Sequence, residues 1–201
     1  MQTGKIILAS KSPRRRQLLE WAEINFEVVT ADTNESYPTG LLPADIAMYI
    51  ASNKANDVLE KLDLMKDNGY AYPILAADTI VVIDNKIICK PSGREDALQT
   101  LSMLSGRKHF VITGICILSG KNKIVFAEET EVEFNTLTQT QIEHYVDTYK
   151  PYDKAGAYAI QEWIGVTGIK SITGDFYNVM GLPVSRVVQE LEKLQLQTYY
   201  H

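Results

Sequence analysis

Between residues 73 and 134 the sequence twice turns back on itself, and this limits the folds open to it. Residues 73–89, from Pro73 to Cys89, alternate apolar residues about Asp84-Asn85-Lys86, while Lys108–Leu118 and Lys123–Phe134 flank Gly120-Lys121-Asn122. Short runs rich in β-branched residues on either side of Asn- or Gly-containing turns predict β-hairpins. Consecutive hairpins exclude a sheet in which every strand is followed by a crossover helix. Around them lie two further strands, Lys5–Ala9 and Phe26–Ala31, and a polar loop containing Tyr37-Pro38-Thr39-Gly40. Helical patterns cover Pro13 to about Glu23 with Ser12 as N-cap, Ala44 to Leu62, Glu95 to Leu104 before Gly106, Gln139 to Tyr149 before Pro151, and Val184 to Leu194. The pattern predicts an α/β chain with a mixed sheet flanked by helices.

At 201 residues, with 45% hydrophobic and 22% charged residues, the chain has the size of one domain, 1–201, and an ordinary globular composition. Disordered, collagenous and coiled-coil chains are excluded. Lys+Arg total 20 against 25 Asp+Glu, a net charge of −5, which argues against broad binding to a nucleic-acid backbone. The longest apolar stretches, Ile74–Ile83 and Val111–Leu118, fall short of the ~20 residues of a spanning helix, so no membrane partner is expected. The N-terminus lacks a signal-peptide pattern. Cys89 and Cys116 lie in apolar runs and are read as buried reduced thiols rather than a disulfide. These features point to a cytoplasmic protein. No patch identifies an interface, and a homodimer stays open.

Three features resist a purely structural explanation. Asp78 interrupts the apolar run Ile74–Ile83; a buried charge is costly unless it finds a partner, a metal or a cleft, and such a carboxylate suits a general base that activates water. The structural alternative is an Asp paired with an arginine or capping a strand end. Lys54 falls inside the helical apolar stripe Ala47, Ile50, Ala51, Val58, Leu62, either as a snorkelling rim residue or as a cation aimed at a phosphate. Ser10-Lys11-Ser12-Pro13-Arg14-Arg15-Arg16 places hydroxyls and guanidinium groups at a helix start, where anions are favoured. On a helix at most two of the three arginines can face one site; the other reading is a solvated basic turn.

Lys90-Pro91, Gly174-Asp175, Asn178 and Gly181-Leu182-Pro183 each read first as turn chemistry. His109 is most simply a strand residue. Phosphate-loop, dinucleotide-fold and nucleophile-elbow glycine motifs are absent, and His109, His144 and His201 are too scattered to make a zinc site with the cysteines.

Taken in order, these segments resemble the Maf family, a nucleoside triphosphate pyrophosphatase group related in fold to inosine triphosphate pyrophosphatases. The matching pieces are Leu8 to Arg15, Lys54-Ala55, Ala77 to Val81 with Lys90-Pro91, Asp153 to Gln161, and Asn178 to Pro183. The resemblance implies a mixed twisted β-sheet flanked by helices with a central cleft, and hydrolysis of the α–β phosphoanhydride of a nucleoside triphosphate with a divalent metal cation, Mg²⁺ or Mn²⁺. On that resemblance Asp78 is the proton acceptor, Ser10, Arg14, Arg15, Lys54 and Lys90 bind the triphosphate, and Glu35 with Asp78 holds metal.

Arg14, Thr79 and Gln161 match the specificity residues of the branch acting on dTTP and UTP; a Gln amide can meet the O4/N3–H edge of thymine or uracil. Two residues depart from the commonest pattern. Glu162 replaces a more usual Gly and puts an extra carboxylate near the implied base pocket, and Met180 replaces Val. The alternatives are a sister specificity, such as 7-methyl-GTP or modified pyrimidine triphosphates, and a nucleotide-binding regulator of cell division, since the family name derives from inhibited septum formation. Nucleic-acid binding through the arginine run is disfavoured by the acidic balance.

Overall fold

The computed structural model describes residues 5–63 and 72–199. Its elements are β1 (Ile6–Leu8), α1 (Pro13–Trp21), β2 (Phe26–Val28), α2 (Pro43–Asp63), β3 (Ile74–Ile83), β4 (Lys86–Ile88), α3 (Arg94–Leu104), β5 (Lys108–Ser119), β6 (Asn122–Phe134), α4 (Gln139–Tyr149), α5 (Trp163–Gly168), β7 (Ile169–Thr173), α6 (Phe176–Met180) and α7 (Val184–Tyr199). Neighbouring strands follow the order β2-β1-β3-β5-β6-β7, with β4 also on β3. β1 pairs in parallel with β2 and β3, whereas β3–β4 and β6–β7 are antiparallel. The fold is therefore α/β with a mixed sheet. Among the described residues no helix is long and apolar enough to cross a membrane.

The chain divides into two compact units, one of residues Met1–Asp78, Thr113–Glu128 and Gly181–His201, the other of Thr79–Ile112 and Glu129–Met180. In the first unit α2 buries Ala47, Ile50, Ala51, Ala55, Val58 and Leu62 along one face. Ile7, Ala9, Ile74, Ala76 and Cys116 pack with that face. Its alanines allow a close approach, and Gly114 of β5 completes it: a Cβ there would lie 2.2 Å from the Ala47 carbonyl carbon. Helix backbone thus rests directly on strand backbone.

In the second unit α3 and α4 are joined by a two-point ion pair, Arg94 Nε to Asp147 Oδ1 at 2.6 Å and Nη2 to Oδ2 at 3.0 Å. α4 opens on a capping box between Thr138 and Gln141 and closes on Lys150 in the left-handed region, before Pro151. The β3–β4 turn has both Asp84 and Asn85 at positive φ, 50° and 58°, the backbone of a two-residue hairpin; Lys86 belongs to β4 rather than to the turn. The same unit holds an aromatic cluster in which the His109, Phe134 and Tyr158 rings meet edge to face with centroids 5.0–5.5 Å apart.

Several expectations need correction. Cys89 is exposed and only Cys116 is buried, because β4 is a three-residue strand on β3 and Cys89 lies past its end. Ser12 holds the N-cap position of α1 but makes no side-chain cap; its backbone N–H donates instead to Ser10 Oγ at 3.2 Å. β2 ends at Val28, short of Ala31. Asn178 is no turn residue. It is fully buried in α6 and donates to the Val111 carbonyl and to Thr130 Oγ1, each at 3.0 Å, while Thr130 Oγ1 donates to the Asp175 carbonyl. The short α5, β7 and α6 lie outside the elements that the sequence pattern predicts. Gly165, Gly168 and Gly174 punctuate that stretch and obscure any period.

Two outcomes follow for stability. Gly114→Ala lowers the urea midpoint, because the clash with Ala47 costs ~2 kcal/mol or more and outweighs the ~0.4–1 kcal/mol gained by stiffening the unfolded chain. Burial pushes His109, whose Nε2 lies 2.8 Å from Tyr158 Oη, down to about 4. The unfolded value is about 6.5, so between these pH values the unfolded state binds a proton that the folded state refuses. This contribution is complete above the unfolded value and is lost as pH falls toward 4. Thermal melts from pH 7 to 4 should fall less steeply for His109→Gln than for the native chain; equal slopes would assign the loss to other groups.

Candidate active site

The first unit gathers charge around β3. Asp78 and Thr79 are the two half-buried positions in a strand otherwise buried along its length. Asp78 Oδ1 accepts a hydrogen bond from Lys54 Nζ at 2.7 Å, and the same ammonium lies 2.7 Å from Glu35 Oε1. The Lys54 and Asp78 side chains are only 19% and 14% exposed, and that of Glu35 is 50% exposed. Lys54 reaches this position from α2, whose alanine face seats the helix close to the strands. It is not a snorkelling rim lysine: it neutralises one half-buried carboxylate and tethers a second from the loop before α2.

Arg15 adds a second cation. It is buried, its Nε donates to the Gly181 carbonyl at 2.8 Å and its Nη1 to Ser10 Oγ at 3.1 Å. Burial lowers it to about 10, with the negative charges of Asp78 and Glu35 opposing that shift and Arg14 adding to it; at neutral pH it remains a cation. Ser10 is buried as well, and its hydroxyl oxygen accepts from both Arg15 and the Ser12 N–H. Of the arginine run, Arg15 is buried, Arg14 half-buried and Arg16 exposed, so the three do point in different directions. α1 has no acidic residue in its first turn and no capping side chain, which leaves the positive end of its dipole unopposed by a local carboxylate. Ser10, Arg14, Arg15, Glu35, Lys54 and Asp78 thus share one electrostatic neighbourhood.

The remaining sequence candidates belong to the second unit. Thr79 follows Asp78 on β3, where successive side chains alternate faces. Lys90 is exposed just past β4, and Gln161 is exposed in the segment before α5. The sequence marks this segment as a matching piece, Asp153 to Gln161, followed by the extra carboxylate of Glu162; the structure pairs its polar residues with one another. Lys154 is buried, with Nζ 2.8 Å from Asp153 Oδ1 and 3.5 Å from Glu162 Oε1, and Glu162 accepts a hydrogen bond from the Tyr145 hydroxyl. Of these residues Tyr145 alone carries no mark in the sequence.

Among the described residues no three His, Cys, Asp or Glu side chains form a metal-binding group. The carboxylates of Glu35 and Asp78 nevertheless converge on a single cation, the Lys54 ammonium. Two hard oxygen donors fit a divalent ion such as Mg²⁺, which usually keeps several waters and takes only one or two carboxylates. Chemically, the cluster combines a carboxylate able to accept a proton with cations able to bind and stabilise phosphate oxygens.

A family model described as Maf-like protein matches residues 5–194. A dTTP/UTP pyrophosphatase of Cytophaga hutchinsonii is 49% identical over 94% of this chain and 84% of its own length. Proteins of the same description from Bacteroides thetaiotaomicron and Parabacteroides distasonis are 44% and 47% identical, each over 94% of this chain and over 96% and 95% of their own lengths. With its motifs in order across nearly the whole sequence, the chain belongs to the Maf family.

Proposed function

We propose that the chain is a nucleoside triphosphate pyrophosphatase that hydrolyses the α–β phosphoanhydride of dTTP and UTP, yielding dTMP or UMP and pyrophosphate, and so removes surplus or non-standard nucleotides. The observation that carries this reading is Asp78, a carboxylate held within an apolar strand by Lys54 and flanked by the buried charge of Arg15. The relatives named dTTP/UTP pyrophosphatase support the same reaction and base class.

In this scheme Asp78 accepts a proton from the attacking water. Ser10, Arg14, Arg15, Lys54 and Lys90 bind the triphosphate and offset the charge that builds up on the phosphate oxygens as the anhydride breaks. Arg15 does so from a preorganised position, since two of its donor groups already hold Gly181 and Ser10, and little reorganisation is needed when substrate arrives. Glu35 and Asp78 would hold the divalent cation. That ion, Mg²⁺ or Mn²⁺, supplies charge neutralisation of the triphosphate and polarises its oxygens. Arg14, Thr79 and Gln161 select the base, Gln161 through an amide that donates and accepts at once.

Phosphorus NMR of the purified protein with Mg²⁺ and separate samples of dTTP, UTP, CTP, GTP and 7-methyl-GTP tests the scheme. Pyrophosphate with dTMP or UMP is expected. Asp78→Asn, which keeps an oxygen for Lys54 to donate to, should lower turnover at least about a hundredfold while leaving the circular dichroism spectrum unchanged; retained turnover would remove Asp78 as the base. Turnover of 7-methyl-GTP alone would overturn the pyrimidine assignment, and triphosphate binding without turnover of any substrate would favour the regulator reading. Lys54→Gln removes the charge between two carboxylates and should raise KM for UTP by about tenfold or more, as read from initial rates at saturating Mg²⁺.

A further inference from the structure

Gln161 occupies a short turn whose two ends are fastened to one atom. The turn runs from Ala159 to Glu162 and is closed by the Glu162 N–H donating to the Ala159 carbonyl at 3.1 Å. The Ala159 N–H donates in turn to the Tyr145 hydroxyl at 3.1 Å, and that hydroxyl donates to Glu162 Oε2. Tyr145 is fully buried in α4, with its ring stacked on Tyr149 at 4.9 Å between centroids. One phenol therefore accepts from the first residue of the turn and donates to the last.

The rest of the surroundings tighten the same element. The second oxygen of Glu162 lies 3.5 Å from the ammonium of Lys154, itself held by Asp153, so the carboxylate is fixed from both sides. Glu162 is also the N-cap of α5, whose Gly165 N–H donates to the Glu162 carbonyl at 2.9 Å. A Cβ at Gly165 would lie 1.7 Å from the Ile160 carbonyl oxygen, which shows how closely the helix start is pressed onto the turn. Of the two residues in the middle, Ile160 is buried and Gln161 exposed. The turn thus has an anchored inner side and one polar side chain presented outward.

We propose that Tyr145 and Glu162 are positioning residues for base selection. By clamping both ends of the 159–162 turn they fix the direction in which the Gln161 amide is presented, and with it the preference for a uracil or thymine edge over cytosine. Selection by a donor–acceptor pair depends on direction, because a side chain free to swing meets a wrong edge as readily as a right one. The proposal rests on the reading of Gln161 as a base-contacting residue, and the experiment separates the two.

The test measures kcat and KM for UTP and CTP with the native chain, Gln161→Ala, Tyr145→Phe, Glu162→Ala and Glu162→Gln, with thermal melts as the check on folding. Gln161→Ala should cut the UTP-over-CTP ratio of kcat/KM by about tenfold or more, and Tyr145→Phe and Glu162→Ala by about three- to tenfold, through a higher KM for UTP with kcat within about twofold. Glu162→Gln retains an oxygen that accepts from Tyr145 and should keep most of the native ratio, a rescue that a general loss of stability would not show. If Gln161→Ala loses the preference while Tyr145→Phe, or Glu162→Ala where that variant does not fold, keeps it, the clamp is overturned. The same holds if Glu162→Gln loses as much as Glu162→Ala. If the native chain shows no preference, or Gln161→Ala leaves it intact, the base-contact reading fails and takes the clamp with it.

Discussion

A carboxylate in an apolar strand is costly unless it is compensated, and in this chain the compensation is one ammonium, Lys54 Nζ, 2.7 Å from Asp78. Much of the first unit follows from that pairing. Lysine can reach β3 from α2 only if the helix lies close to the strands, and close packing requires the small residues Ala47, Ala51 and Ala55 on its inner face and a glycine, Gly114, opposite Ala47. The loop before α2 must in turn bring Glu35 within 2.7 Å of the same ammonium. Packing and chemistry are thus coupled: what seats the helix also sets the position of the charge.

The two units handle buried polarity differently. The first concentrates ions, with Arg15, Lys54, Asp78 and Glu35 in one electrostatic neighbourhood, where each charge limits the desolvation cost of the next. The second also buries a cation, Lys154 paired with Asp153 and Glu162, but it adds a His109–Tyr158 pair that is kept neutral, as burial drives the imidazole down and the phenol up. Neutral pairs hold a core together without creating a field. Ion clusters create a field that a polyanion can exploit.

What could be read in the sequence depended on how local its physical cause was. The hairpins were legible because Asp84-Asn85 and Gly120 supply left-handed backbone within the turn itself. Asp78 and Lys54 were legible as misfits against a strand and a helix period, although nothing in either segment says that they meet. Arg15 was legible only as part of a basic run; the carbonyl that its Nε bonds belongs to Gly181, 166 residues away. Asn178 looked like a turn former since its partners, Val111 and Thr130, belong to distant strands. Cys89 looked buried because the apolar run continues past the point where β4 stops. The Tyr145–Glu162 contact joins residues 17 apart across a proline and a loop, a separation that no periodic pattern marks.

The bond from Arg15 to the Gly181 carbonyl also bears on how the chain is made. Helix α1 leaves the ribosome well before the acceptor for its buried guanidinium, which is synthesised 166 residues later. Until then that arginine must stay hydrated, and the charged neighbourhood of Asp78 and Glu35 lacks its final arrangement. A nascent chain can form hairpins and helices early, since their contacts are local, but Arg15 gains its acceptor only when the segment around Gly181 arrives. Completion of the first unit therefore waits for residue 181, and termination before it leaves an arginine without the carbonyl that holds it.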